Sequence, residues 1–96
     1  MRGLNDMKMI YCKECHDVVA LIMNEERSCK CGKSGGKYID TNNAEYWGNA
    51  VPLGMNNQSF MKAIFQYSLY PENFTIEAFT IPESWQTFKK VIKEAE

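Results

Sequence analysis

Four cysteines, the chain's whole complement, fall within twenty residues: Cys12 and Cys15 as C-x-x-C, then Cys29 and Cys31 as C-x-C-G. Thiolates are soft donors, and two close pairs separated by a loop of roughly a dozen residues can build one tetrahedral metal site. Each pair turns the backbone tightly so that two sulfurs point inward, and the loop between them brings the pairs together. Four thiolates close the coordination sphere and leave no position for a substrate water. The expected ion is therefore structural, one zinc per chain. Iron accepts the same ligands and stays open as the alternative.

Other chemistries open to these residues fit less well. Cys12-Lys13-Glu14-Cys15-His16 matches the c-type haem attachment pattern, but attachment needs an exported protein and leaves Cys29 and Cys31 without a purpose. His16, the single histidine, adjoins Cys15 too closely for both to ligate easily and is expected as a solvated neighbour. A reactive dithiol normally opens a helix after a strand, whereas here a strand-like run follows the first pair. Gly32-Lys33-Ser34 looks like the end of a phosphate-binding loop, yet the required first glycine falls at Arg27. Ser34 to Lys37 could form an anion-binding nest, with a flexible turn as the plainer expectation. There is no serine–histidine–acid set, no recognisable carboxylate pair and no open metal position, so no enzyme is expected.

Two surfaces could meet a partner. Lys13, Lys30, Lys33 and Lys37, with Arg27, Tyr11 and Tyr38, form the one basic-aromatic combination, able in principle to contact phosphates and stack bases. The competing reading is that these lysines offset the negative thiolates. Tyr46-Trp47-Gly48, on an expected edge strand, could present an exposed anchor to a protein, with ordinary core as its competitor. The formal net charge of -1 gives little long-range attraction for nucleic acid. A protein partner therefore ranks first and nucleic acid second.

The elements that must hold these residues can be read from hydrophobic spacing. The chain has 96 residues, 45% hydrophobic and 24% charged, as expected of one soluble domain. It divides near Asp40 into a cysteine-bearing lobe, 9–40, and a remainder, 41–96. Met9 to Tyr11, Val18 to Met23 and Lys37 to Asp40 read as strands, with a polar turn from Asn24 to Ser28. Ala44 to Val51 reads as an edge strand before Pro52. A helix capped by Asn57 or Ser59 should run through Phe60, Ala63, Ile64 and Tyr67 until Pro71. Phe74 to Ile81 favours a strand, and Pro82 suits the first turn of a last helix with Trp85, Phe88, Ile92 and Ala95 on its buried face. No stretch approaches the roughly 20 apolar residues of a membrane span, and the opening residues lack a secretory apolar region. A cytoplasmic setting is expected, where thiols stay reduced.

The span Tyr11 to Tyr38 resembles the zinc ribbon, whose two knuckles match C-K-E-C and C-K-C-G as they stand here. The continuation G-K-S-G-G-K-Y-I-D, followed by A-E-Y-W-G-N-A-V-P-L-G, looks like a group of small uncharacterised phage and bacterial proteins. That resemblance implies binding of a host protein and no activity. The expected fold class is α+β: a small four-cysteine zinc ribbon continuing into a sheet packed with two helices.

Overall fold

The computed structural model describes residues 7–83 and 85–92, which form eight strands and one helix. β1 (Met7–Cys12) and β2 (Val18–Ala20) are joined by the first cysteine pair, and β3 (Arg27–Ser28) and β4 (Ser34–Tyr38) by the second. Next come β5 (Ala44–Gly48), β6 (Ala50–Met55), α1 (Asn57–Leu69), β7 (Ala78–Thr80) and β8 (Phe88–Lys90). They make two four-stranded sheets, ordered β2-β1-β6-β7 and β3-β4-β5-β8. All pairings are antiparallel except β5 with β8. Ile10, Leu21, Tyr46, Ile81 and Phe88 form the core together with Cys12 and Cys29.

The fold is thus mostly β, which overturns the α+β expectation of two helices packed on a sheet. The last helix is absent from the described residues. After Pro82 the chain turns, and Phe88–Lys90 pairs in parallel with Ala44–Tyr46. Phe88 is fully buried, while Trp85 and Ile92 of the supposed buried stripe are 50% and 94% exposed. Ala95 lies outside the described residues. The reason is tertiary: Phe88 finds a seat against Tyr46, with ring centroids 5.1 Å apart at 72°. Edge-to-face packing in a closed core outweighs the weak helical preference of a short segment.

Residues on both sides of Asp40 share each sheet. β6 lies along β1, with Ile10 opposite Pro52, and β5 lies along β4, with Gly36 opposite Tyr46. The single edge strand expected over Ala44 to Val51 is two interior strands, one in each sheet, broken at Gly48-Asn49. Pro52 survives inside a sheet because its missing donor faces β7. Its carbonyl accepts from the Ile81 amide at 2.8 Å, so its nitrogen points the same way, just past the end of β7.

α1 begins where Asn56, one residue before the expected cap, accepts the Ser59 amide at 2.8 Å. Leu69 ends it, two residues before Pro71, and the Tyr70 amide closes on the Gln66 carbonyl at 2.9 Å. Of the face expected to be buried, only Ala63 is. The helix makes no extensive contact with any strand, and the molecule is elongated, 49 × 30 × 23 Å.

Candidate metal centre

Each cysteine pair sits on a hairpin turn whose backbone leaves little choice of residue. In the first, the His16 amide donates to the Cys12 carbonyl at 2.8 Å and the Cys12 amide to the Asp17 carbonyl at 2.9 Å. In the second, the Gly32 amide donates to the Cys29 carbonyl at 3.0 Å and the Cys29 amide to the Ser34 carbonyl at 2.9 Å. The residue directly after the second cysteine is left-handed in both turns: His16 has φ 65° and Gly32 φ 77°. Glycine takes that conformation freely, whereas for another residue it costs roughly 1–2 kcal/mol.

The two turns bring all four sulfurs within 4.8 Å of one another. Cys12 Sγ lies 3.8 Å from Cys31 Sγ, which is 3.5 Å from Cys29 Sγ. Four sulfurs at about 2.3 Å from a shared metal stand about 3.8 Å apart at the corners of a tetrahedron. The donor set and its size therefore fit one metal ion held by Cys12, Cys15, Cys29 and Cys31.

Residues around the sulfurs prepare them for a cation. Ser34, fully buried, donates its hydroxyl to Cys12 Sγ at 3.4 Å, and the amides of Glu14 and Cys15 donate to the same sulfur at 3.3 and 3.5 Å. The Ser34 hydroxyl, followed by the Cys15 amide, brings the Cys12 thiol down to about 6 from 9.0. Cys29 is also lowered: burial works against its thiolate, but hydrogen bonds from Cys31 and the Ser34 amide outweigh it. Cys31 is pushed up to about 12, since the favourable Lys33 amide is overcome by burial and by protons shared with the other three thiols. The thiols of such a cluster titrate together, with Cys12 drawn toward the thiolate and Cys31 toward the thiol, and a metal ion replaces the protons that remain.

Three supporting residues escaped the sequence reading. Asp17 accepts the Lys30 amide at 3.0 Å, tying the end of the first turn to the middle of the second. Ser34 is the buried donor to Cys12. Gly48, at φ 96°, closes the corner between β5 and β6, and a Cβ there would strike the Lys33 carbonyl and Ser34. Beyond that corner the Asn49 carbonyl accepts the Lys13 amide at 2.9 Å, backing the first turn. Only Gly48-Asn49 carried a visible signal, as a dipeptide common in turns.

The proposed protein anchor does not exist in the expected form. Tyr46 is fully buried, and its hydroxyl has no hydrogen-bond partner among the described residues. Trp47 is only 8% exposed, and its Nε1 donates to Glu26 Oε2 at 2.6 Å. Its indole lies over Gly35, where a Cβ would come within 2.5 Å of Cζ2. Gly35 and Gly36 are accordingly buried inside β4, neither an anion nest nor a flexible turn.

The basic set is spread out and interrupted by acids. Lys13, Lys30 and Lys33 are exposed on the cysteine turns, where Lys33 Nζ lies 3.9 Å from Glu14 and Asp17 holds the Lys30 amide. Lys37 stands on β4 in register with Glu45. Tyr11 shares a hydrogen bond with His16 Nδ1, and Tyr38 accepts the Lys8 amide at 2.9 Å with the Lys8 ammonium 5.7 Å from its ring centre. No helix among the described residues is long and apolar enough to cross a membrane. No family model matches the chain, and the searches of curated proteins and of solved structures likewise find no match.

Proposed function

We propose that this chain is a non-catalytic, zinc-stapled protein-binding module. The observation that carries the reading is α1, which stands outside the two sheets and exposes Met61, Phe65 and Leu69 by 58–65% each. Large side chains left in water on one short helix mark a place where another macromolecule docks. The four-thiolate site supports the non-catalytic half of the proposal, because it offers a metal no free coordination position. Zinc is preferred to iron for the same closed, redox-silent role. The narrower form, a phage-encoded modulator of a host protein, rests on the sequence resemblance alone.

A photo-crosslinking residue at position 65 tests this reading in cells. Protein adducts at that position, absent when the crosslinker stands at Lys89 on the far sheet, are the expected result. Nucleic-acid binding through Lys13, Lys30, Lys33 and Lys37 is the second reading, favoured by the exposure of these lysines. It would reveal itself as oligonucleotide affinity that falls steeply with salt and is lost when the four become alanine.

A further inference from the structure

We propose that Cys31 is a site of oxidation by hydrogen peroxide, and that it then closes a disulfide with Cys12 that releases the metal. The inference rests on the four-thiolate site above and gives that site a role beyond holding the fold. Zinc itself exchanges no electrons, but the sulfurs that bind it do.

The four sulfurs are not equally open. Cys12 and Cys29 are buried members of the core, Cys15 is half-buried, and Cys31 alone of the four is exposed. The two turns also differ in the residue that follows the second cysteine. After Cys15 stands His16, whose ring is hydrogen-bonded to Tyr11, with the ring centroids 5.8 Å apart. After Cys31 stands Gly32, where an added Cβ would meet nothing within 4 Å. A molecule as small as hydrogen peroxide therefore reaches the second turn from solvent without any opening of the chain.

Hydrogen bonding sets the same order of reactivity. Cys12 Sγ accepts from the Ser34 hydroxyl and from the amides of Glu14 and Cys15. Cys31, apart from its fellow thiols, accepts from the Lys33 amide among the described residues. When a metal is bound every ligand is a thiolate, and each donor that stabilises a thiolate also blunts its attack. Cys31 thus combines the freer path with the stronger nucleophile.

Oxidation takes two steps. The Cys31 thiolate attacks one oxygen of the peroxide, the O–O bond breaks, and a sulfenic acid forms as hydroxide leaves. The Cys12 thiolate, 3.8 Å from Cys31 Sγ, then attacks that sulfur. An S–S bond forms, the S–O bond breaks and a second hydroxide leaves, so a pair of electrons has passed from the sulfurs to the peroxide. Cys29 Sγ is nearer, at 3.5 Å, but one residue separates it from Cys31, and so small a ring strains a disulfide. Cys12 belongs to the other turn, and the turns are already tied there by the Lys30 amide on Asp17. Cys15 and Cys29 remain as thiolates, half the ligand set, and the metal leaves.

Metal-loaded protein treated with hydrogen peroxide in the presence of a chromophoric zinc chelator tests the proposal. Metal should appear in step with the loss of a pair of thiols, and peptide mapping should place the new bond between Cys12 and Cys31. Dimedone present during the reaction should label Cys31, and dithiothreitol with added zinc should restore the loaded protein. Gly32→Asn keeps all four ligands, tolerates the left-handed backbone and fills the open space of the second turn. It should load metal as the wild type does and release it severalfold more slowly under peroxide. Metal retained at peroxide concentrations that oxidise free cysteine overturns the proposal. So do dimedone label or a disulfide at other cysteines, oxidation past the disulfide to sulfonic acid, and a release rate unchanged in Gly32→Asn. Protein that purifies without metal, its thiols intact, removes the zinc reading and this proposal together, whereas loaded protein indifferent to peroxide removes this proposal alone.

Discussion

His16 and Gly32 occupy equivalent places after the two cysteine pairs, and around them single atoms decide what the site can do. The Ser34 hydroxyl is directed at Cys12, which favours its thiolate, whereas Cys31 keeps its proton far into the alkaline range. Metal binding near neutral pH must therefore expel at least the Cys31 proton, and affinity should rise with pH by about tenfold per unit for each proton released. Below about 6 the metal-free Cys12 thiol is protonated as well, so one more proton must be expelled and affinity should fall more steeply with acid. Competition with a chromophoric chelator in mildly acidic and mildly alkaline buffers measures this, and a flat affinity would contradict it. Tyr46 presents the opposite case, a polar atom that the fold leaves unserved. Its buried hydroxyl has no partner among the described residues, and its ionisation is suppressed, chiefly by burial and then by the Glu83 charge. Tyr46→Phe should therefore stabilise the protein by about 1 kcal/mol, raising the thermal midpoint by a few degrees. A loss of stability would show that the hydroxyl is bonded after all.

Among the elements, those defined by local chemistry were legible and those defined by distant pairing were not. The cysteine spacing revealed both hairpin turns, and Pro71 the end of α1, because each signal sits within a few residues of its effect. β3 has two residues and β8 three, too few for an alternating pattern to emerge. The partner of β8 also lies more than forty residues away along the chain. Trp85, Phe88 and Ile92 happen to share a helical spacing, and that coincidence concealed a strand. The two tryptophans were consequently exchanged, with Trp47 expected outside and Trp85 inside. Gly35, which pairs with Trp47 across the strands, held the missing information, since a glycine in a sheet often makes room for an aromatic neighbour. Trp47→Ala should now cost about 3–5 kcal/mol, and Trp85→Ala less than about 1 kcal/mol. Gly35→Ala should cost about 2–3 kcal/mol, because the new methyl meets the indole and, at 2.6 Å, the Arg27 carbonyl. Urea unfolding followed by tryptophan fluorescence ranks the three, and a larger effect at Trp85 would reverse the assignment.

At the scale of the whole molecule, the metal site and the sheets are one construction. Cys12 ends β1, which lies at the centre of one sheet, and Cys29 leads into β4, which lies inside the other. β6 pairs with β1 along its full length, and Cys12 and Cys29 are themselves buried members of the core. A reading of the sequence in two lobes suggests that the chain beyond Asp40 would outlast the metal. The interleaved pairing argues otherwise, because losing either cysteine turn frees an interior strand on which later strands depend. A core this small gains a large share of its stability from its staple. Chelation, or Cys12→Ser, should therefore abolish the sheet signal in a single transition, with β5 and β6 losing amide protection together with β1 and β4. Hydrogen exchange resolves this residue by residue. Persistent protection of Ala44–Gly48 and Ala50–Met55 after the metal is stripped would mean that the later strands hold a core of their own. α1 should contribute little to either outcome, since it lies outside both sheets and only Ala63 is buried.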